Sequence, residues 1–205
     1  MHKKHKHRVI IGLALIALAV VAVIATAIPG GASSVFARAN LVNTNGETVG
    51  RVRFSRDHGA VIARAKVVLP TDSAEFHGFH IHANDPDPTT GIRPGCDPAT
   101  AFTSVGGHWD IGGHTHGAHT GDLPSVVRQG DGEVEMTFVV DKFTADQLFG
   151  HAIIVHAGAD NFGNVPLGTA PNQYTDNGSA YNGPGGTAAT GNAGARYACG
   201  VIERH

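Results

Sequence analysis

The chain has 205 residues, 41% hydrophobic, 16% charged and 6% aromatic, a globular composition that excludes an acidic or basic disordered tail protein. Its formal net charge of −2 offers no basic field for nucleic acid. Twenty-eight glycines without a collagen-like period point to turns and long loops between short strands and disfavour a helical bundle, and the outlier of the composition is 14 His.

In chain order, residues 2–8 form a basic cluster and residues 9–28 run for twenty positions without a charge, the grammar of an export signal. Small residues follow, as at a cleavage site, while a run of that length also suffices to hold the chain in a membrane uncut. No Cys follows the run, so a lipoprotein anchor is excluded. The expectation is an export signal or N-terminal membrane anchor over 1–33 and one domain outside the cytoplasm over 34–205.

From residue 34 the hydrophobic period is two. In Arg51-Val52-Arg53-Phe54 and Glu133-Val134-Glu135-Met136, apolar and polar residues alternate as in strands that bury one face. Eight strands are predicted, near 35–42, 47–55, 60–68, 76–83, 123–129, 133–140, 151–157 and 196–203, with one helical turn at 144–148. Gly- and Asn-rich turns such as Asn43-Thr44-Asn45-Gly46 separate them. This pattern implies an all-β fold, an antiparallel sandwich or barrel. Two Gly-rich stretches, 84–121 and 158–195, exceed simple turns, and loops of that length are usually functional.

An exported chain folds where disulfides persist, so Cys96 and Cys199 are expected to pair. Seven His fall between 77 and 119. His80 and His82, two apart on a predicted strand, share a face and can hold one metal ion. His108 and His156 are candidates to complete a four-imidazole copper site, and His114, His116, His119 and Asp122 mix imidazole with a carboxylate in a way that suits zinc. His77, in the opposite phase, is expected to donate a structural hydrogen bond. His58, His151 and His205 are read as surface residues, and Trp109 as a packing or rim residue.

Four segments, Gly78-Phe79-His80-Ile81-His82, Gly106-Gly107-His108, His119-Thr120-Gly121-Asp122-Leu123-Pro124 and 191–202 with Arg196 and Cys199, stand in the order found in exported bacterial copper/zinc superoxide dismutases, which the chain resembles over residues 35–202. The resemblance implies an eight-stranded Greek-key sandwich, an architecture for which this family is a standing example. It further implies that His80, His82, His108 and His156 bind copper, with His108 bridging to zinc, and that His119 and Asp122 bind zinc. Asp160 corresponds to a carboxylate joining a copper-site His to a zinc-site His, Arg196 to the guanidinium that orients the superoxide anion, and Cys96 with Cys199 to the loop disulfide. The implied reaction is dismutation of superoxide by a redox-cycling copper, with His108 opening on reduction to carry a proton.

Two departures stand out. The segment between His114 and His119 is compressed, so either His116 or His114 supplies the remaining zinc ligand, with His116 the better placed relative to His108. The last loop is long and holds no Lys or Arg from 161 to 195. A copper-binding or copper-delivering domain on the same sandwich is the alternative function, and the oligomeric state is not legible in the pattern.

Overall fold

A computed structural model describes residues 34–163 and 187–205. The proposed signal or anchor, and the part of the last loop over 164–186, lie outside the described residues. The chain enters β1 (Val35–Asn43), β2 (Thr48–Asp57) and β3 (Ala60–Val68), an antiparallel meander. Short strands β4 (Phe76–His77), β5 (Phe79–His82) and β6 (Val126–Val127) follow. Then come β7 (Glu133–Val140), β8 (Ala152–His156), the four-residue helix α1 (Thr187–Thr190), β9 (Arg196–Val201) and β10 (Glu203–Arg204).

The main sheet runs β5-β8-β9-β1-β2-β3-β7, with β10 also on β1, and β4 pairs with β6 in a second, two-stranded sheet. The eight expected strands are all represented. The predicted strand over 76–83 divides at Gly78, whose N–H donates to the Gly158 carbonyl and whose carbonyl accepts from His156, at a close approach where a Cβ would lie 2.6 Å from the Ala193 Cβ. The predicted strand over 123–129 narrows to two residues, since Pro124 has no N–H and the Leu123 N–H goes to the Phe79 carbonyl instead. The helical turn appears as a 3₁₀ turn at Ala145–Gln147, capped reciprocally by Thr144 and Gln147. Among the described residues no helix is long and apolar enough to cross a membrane.

Alternation places Leu41, Val52, Phe54, Ala63, Phe79, Ile81 and Ile153 inside one core, all at 0% exposure. By contrast β5 and β8 are buried on both faces. Phe79, Ile81, Ile153 and Val155 fill the core, while the long loops cover the side that carries His80, His82, Ile154 and His156. A smaller cluster beneath those loops joins Phe102, Val105, Ala152, Ile154 and Cys199, with Cys96 against it. Cys96 and Cys199 are bonded, with Cα atoms 5.6 Å apart, which ties the first long loop to β9.

Candidate metal centre

Strand pairing assembles the site. His80 and His82 face away from the core on β5, and register sets His80 opposite Ile154 on β8. His156, two residues beyond Ile154, therefore arrives beside them, its N–H donating to the Gly78 carbonyl at 2.8 Å. The other edge of β5 is met by two loop segments, which set Asp122 directly opposite His80 and His108 opposite His82. Ligands from four distant stretches of chain thus converge through backbone pairing.

One nitrogen from each of His80, His82, His108 and His156 lies within 4.8 Å of the others. The remaining ring nitrogens have fixed partners. His80 Nε2 donates to Asp160 at 2.6 Å, His82 Nδ1 to the Gly106 carbonyl at 2.8 Å and His156 Nδ1 to the Gly194 carbonyl at 3.1 Å. His108 Nδ1 lies 2.9 Å from Asp122 Oδ1. These contacts set the tautomers, leaving His80 Nδ1, His82 Nε2, His108 Nε2 and His156 Nε2 buried without a partner. Four inward lone pairs with no donor among them fit a bound cation, and imidazole suits copper. Burial, reinforced by neighbouring imidazoles and by Arg196, holds His82 and His156 well below the usual histidine range. Burial likewise lowers His80 despite Asp160, and takes His108 to about 3.

Beside this cage lies a second grouping of His80, His108, His116 and Asp122. His116 Nδ1 is 3.2 Å from His108 Nδ1 and 3.3 Å from Asp122 Oδ1, and His119 Nδ1 is 3.3 Å from the same oxygen. Imidazole nitrogens and one carboxylate oxygen form a zinc-type donor set. His114 lies outside it. Its ring is half-exposed and bonded to Asp110 at 2.8 Å, and Asp110 also accepts from the His114 and Thr120 backbones.

Charge in this second pocket is closely matched. Burial pulls the His116 pKa down, but hydrogen bonds to Asp122 and Asp160 override it and raise the group to about 9. Burial works the other way on Asp122 and Asp160, yet their His partners hold both well below the usual carboxylate range. Asp160 accepts from His80 and from His116, linking the two groups of ligands. Gly191, at φ +62, lies so close that a Cβ would fall 2.1 Å from Asp160 Oδ1 and 2.2 Å from His116 Nε2. Only glycine lets the last loop seal this contact.

Arg196 opens β9, and its guanidinium donates to the carbonyls of Phe102 and Gly106. Gly106 also anchors His82, so the cation is built into the rim of the copper-type cage. Sequence reasoning missed Lys142, whose ammonium donates to the carbonyls of His119 at 3.1 Å and Asp122 at 2.9 Å. It also missed the structural place of His151, which is half-buried, stacks on Trp109 at 4.2 Å and donates to the Ala83 carbonyl. A lone Lys at a strand end and a lone His between strands carry no local signal. His77 is buried and donates through Nδ1 to the His156 carbonyl at 2.7 Å, while Arg93 turns to the carbonyls of Ala83 and Asn84.

A family model described as copper/zinc superoxide dismutase matches residues 48–202. The Cu-Zn superoxide dismutase of Mycobacterium bovis is 36% identical over 170 residues, covering 79% of this chain and 68% of its own. That of Mycolicibacterium paratuberculosis is 36% identical over 182 residues, covering 87% and 78%, and that of Neisseria meningitidis 32% identical over 145 residues, covering 64% and 62%.

Proposed function

Because the chain belongs to the copper/zinc superoxide dismutase family, an enzyme class that converts superoxide to O₂ and H₂O₂ with copper and zinc as its metals, we propose a specific assignment of its residues to that chemistry. His80 Nδ1, His82 Nε2, His108 Nε2 and His156 Nε2 hold copper. The observation that carries this assignment is the convergence of four buried, partnerless lone pairs. When bound, copper supplies the electron exchange by which one superoxide is oxidised to O₂ and a second, with two protons, is reduced to H₂O₂. His108, His116, His119 and Asp122 hold zinc, with His116 filling the place for which His114 was the alternative.

The protein's own groups bind, orient and exclude. Arg196, held by the carbonyls of Phe102 and Gly106, places a guanidinium charge at the rim, where it attracts a small anion. His108 reaches both pockets, with Nε2 toward copper and Nδ1 toward zinc. Because it faces both pockets, His108 is the group placed to carry a proton to the reduced product. Asp160 fixes the rings of His80 and His116 as a carboxylate behind metal-binding imidazoles does elsewhere.

The protein works outside the cytoplasm. The basic cluster and apolar run over residues 1–33 support export, as does the loop disulfide, a bond that persists in oxidising compartments. Residues 9–28 hold the enzyme at the membrane where they are not removed. Metal analysis and dismutase activity on one preparation test the catalytic assignment. One copper per chain with activity is expected, lost in His82→Ala and His156→Ala, and undiminished turnover in either variant overturns it. Fractionation of the producing cells, with the mass of the exported chain, tests location and cleavage.

A further inference from the structure

From residue 34 onward the chain has eleven Lys and Arg against seventeen Asp and Glu, and the cations are unevenly spread. Arg38, Arg53 and Arg64 are direct register partners across β1, β2 and β3, and Arg51 faces Lys66 in the next row. All five are exposed. Rows of like charge directly opposite one another destabilise a sheet. Only Glu203, opposite Arg38, and Glu135, 3.7 Å from Lys66, offset them within these rows.

The other six cations are engaged within the fold. Arg93, Arg128, Lys142 and Arg196 donate to backbone carbonyls. Arg56 pairs with Asp146, and Arg204 lies 3.9 Å from the centre of the Phe149 ring. Arg38, Arg51, Arg53 and Arg64, by contrast, make no ion pair among the described residues. A groove of about 220 Å³ on this face is lined by Arg51, Arg53, Arg64 and Lys66 together with Ser55, Thr137 and Glu135, the last paired with Lys66. It lies toward the opposite end of the strand order from β5 and β8, which carry three of the four copper ligands.

We propose that this outer face of β1, β2 and β3 docks on an anionic phospholipid surface, with the guanidiniums on lipid phosphates. Guanidinium matches phosphate with paired hydrogen bonds, which suits a patch of four Arg and one Lys. The position of the face fits as well, an argument that rests on the reading of residues 1–33 given above. The apolar run ends at residue 28 and β1 begins at Val35, so a membrane-held chain keeps β1 within about 25 Å of the run's end. Docking then leaves the metal-bearing strands turned to the far end of the sheet order, open to a soluble anion.

Residues 32–205 form their own compact unit with its core and disulfide, so this segment tests the face without the apolar run. Flotation with vesicles of equal parts phosphatidylglycerol and phosphatidylcholine, against phosphatidylcholine alone, is expected to show binding to the anionic vesicles only. Release is expected near 1 M salt, where the screening length falls to about 3 Å. Each cation at an anionic lipid surface multiplies affinity about fivefold, so R53Q/R64Q should weaken binding roughly 25-fold and R53K/R64K should retain it. Dismutase rate in solution stays unchanged in both. Equal binding to neutral vesicles, full binding by R53Q/R64Q, or tighter binding to inorganic polyphosphate than to the vesicles overturns the proposal. Export and cleavage are read separately by fractionation, so a failure of either reading is distinguishable from the other.

Discussion

Zinc loading should be set by a proton at His116. In the metal-free protein this buried imidazole is charged, held by Asp122 and Asp160 at a pKa of about 9. Zinc needs the Nδ1 lone pair, so binding must expel that proton. At pH 7 the group lies about two units below its pKa, a displacement costing about 2.7 kcal/mol, or roughly a hundredfold in affinity. Zinc affinity is therefore expected to rise about tenfold per unit from pH 7 to 9 and to flatten above. The same charge supports the metal-free fold. Because the folded pKa is raised above the ordinary histidine value of 6.5, its contribution of about 3 kcal/mol is fully present below pH 6.5 and lost as pH rises through 9. Competition titrations over pH 6.5–10, with proton release followed by calorimetry in two buffers, measure both effects. Affinity that is flat between pH 7 and 9, or zinc uptake at pH 7 without proton release, refutes this account of the second pocket.

Lys142→Met should lower zinc affinity about tenfold or more while leaving copper content intact, and Lys142→Arg should restore it, since charged hydrogen bonds to the His119 and Asp122 carbonyls hold that loop. Equal loss of both metals would show a general fold defect instead. Arg196→Ala should cut the second-order rate with superoxide about tenfold and flatten or reverse its dependence on ionic strength, as pulse radiolysis would read, and a variant within about twofold of the parent throughout would place the steering elsewhere. Serine at both Cys96 and Cys199 should lower unfolding stability by up to about 4.7 kcal/mol, the loop-closure entropy of a bridge spanning 103 residues, as denaturant titration would show. An unchanged midpoint would show that the long loop is ordered without it.

Strands that bury one face were readable because alternation records which side is wet. The row Arg51, Val52, Arg53, Phe54 states the orientation of β2 residue by residue. The ligands on β5 were readable for the same reason, since His80 and His82 alternate with the apolar Phe79 and Ile81. What sequence did not reveal depends on contacts far apart in the chain. The strand break at Gly78 goes with backbone bonds to Gly158 and His156, and the burial of His151 with its stacking on the Trp109 ring. Spacing favoured His116 over His114 through its distance from His108, but could not decide between them, because His114 has the better separation from His119. It is Asp110 that draws one ring outward, and Asp122 with Asp160 that draw the other in.

The segments that carry His108 and Asp122 do more than deliver ligands. They lie along the outer edge of β5, where the Ile81 N–H donates to the Gly121 carbonyl and the Ile81 carbonyl accepts from Trp109, both at 2.8 Å. A strand at the margin of a sheet would otherwise offer those groups to another chain. The metal-ligand residues His108 and Asp122 thus sit on the two segments that close one border of the sheet. A metal bound by His108 and Asp122 would tether both segments over Ile81, so metal loading is expected to strengthen the cover on this border.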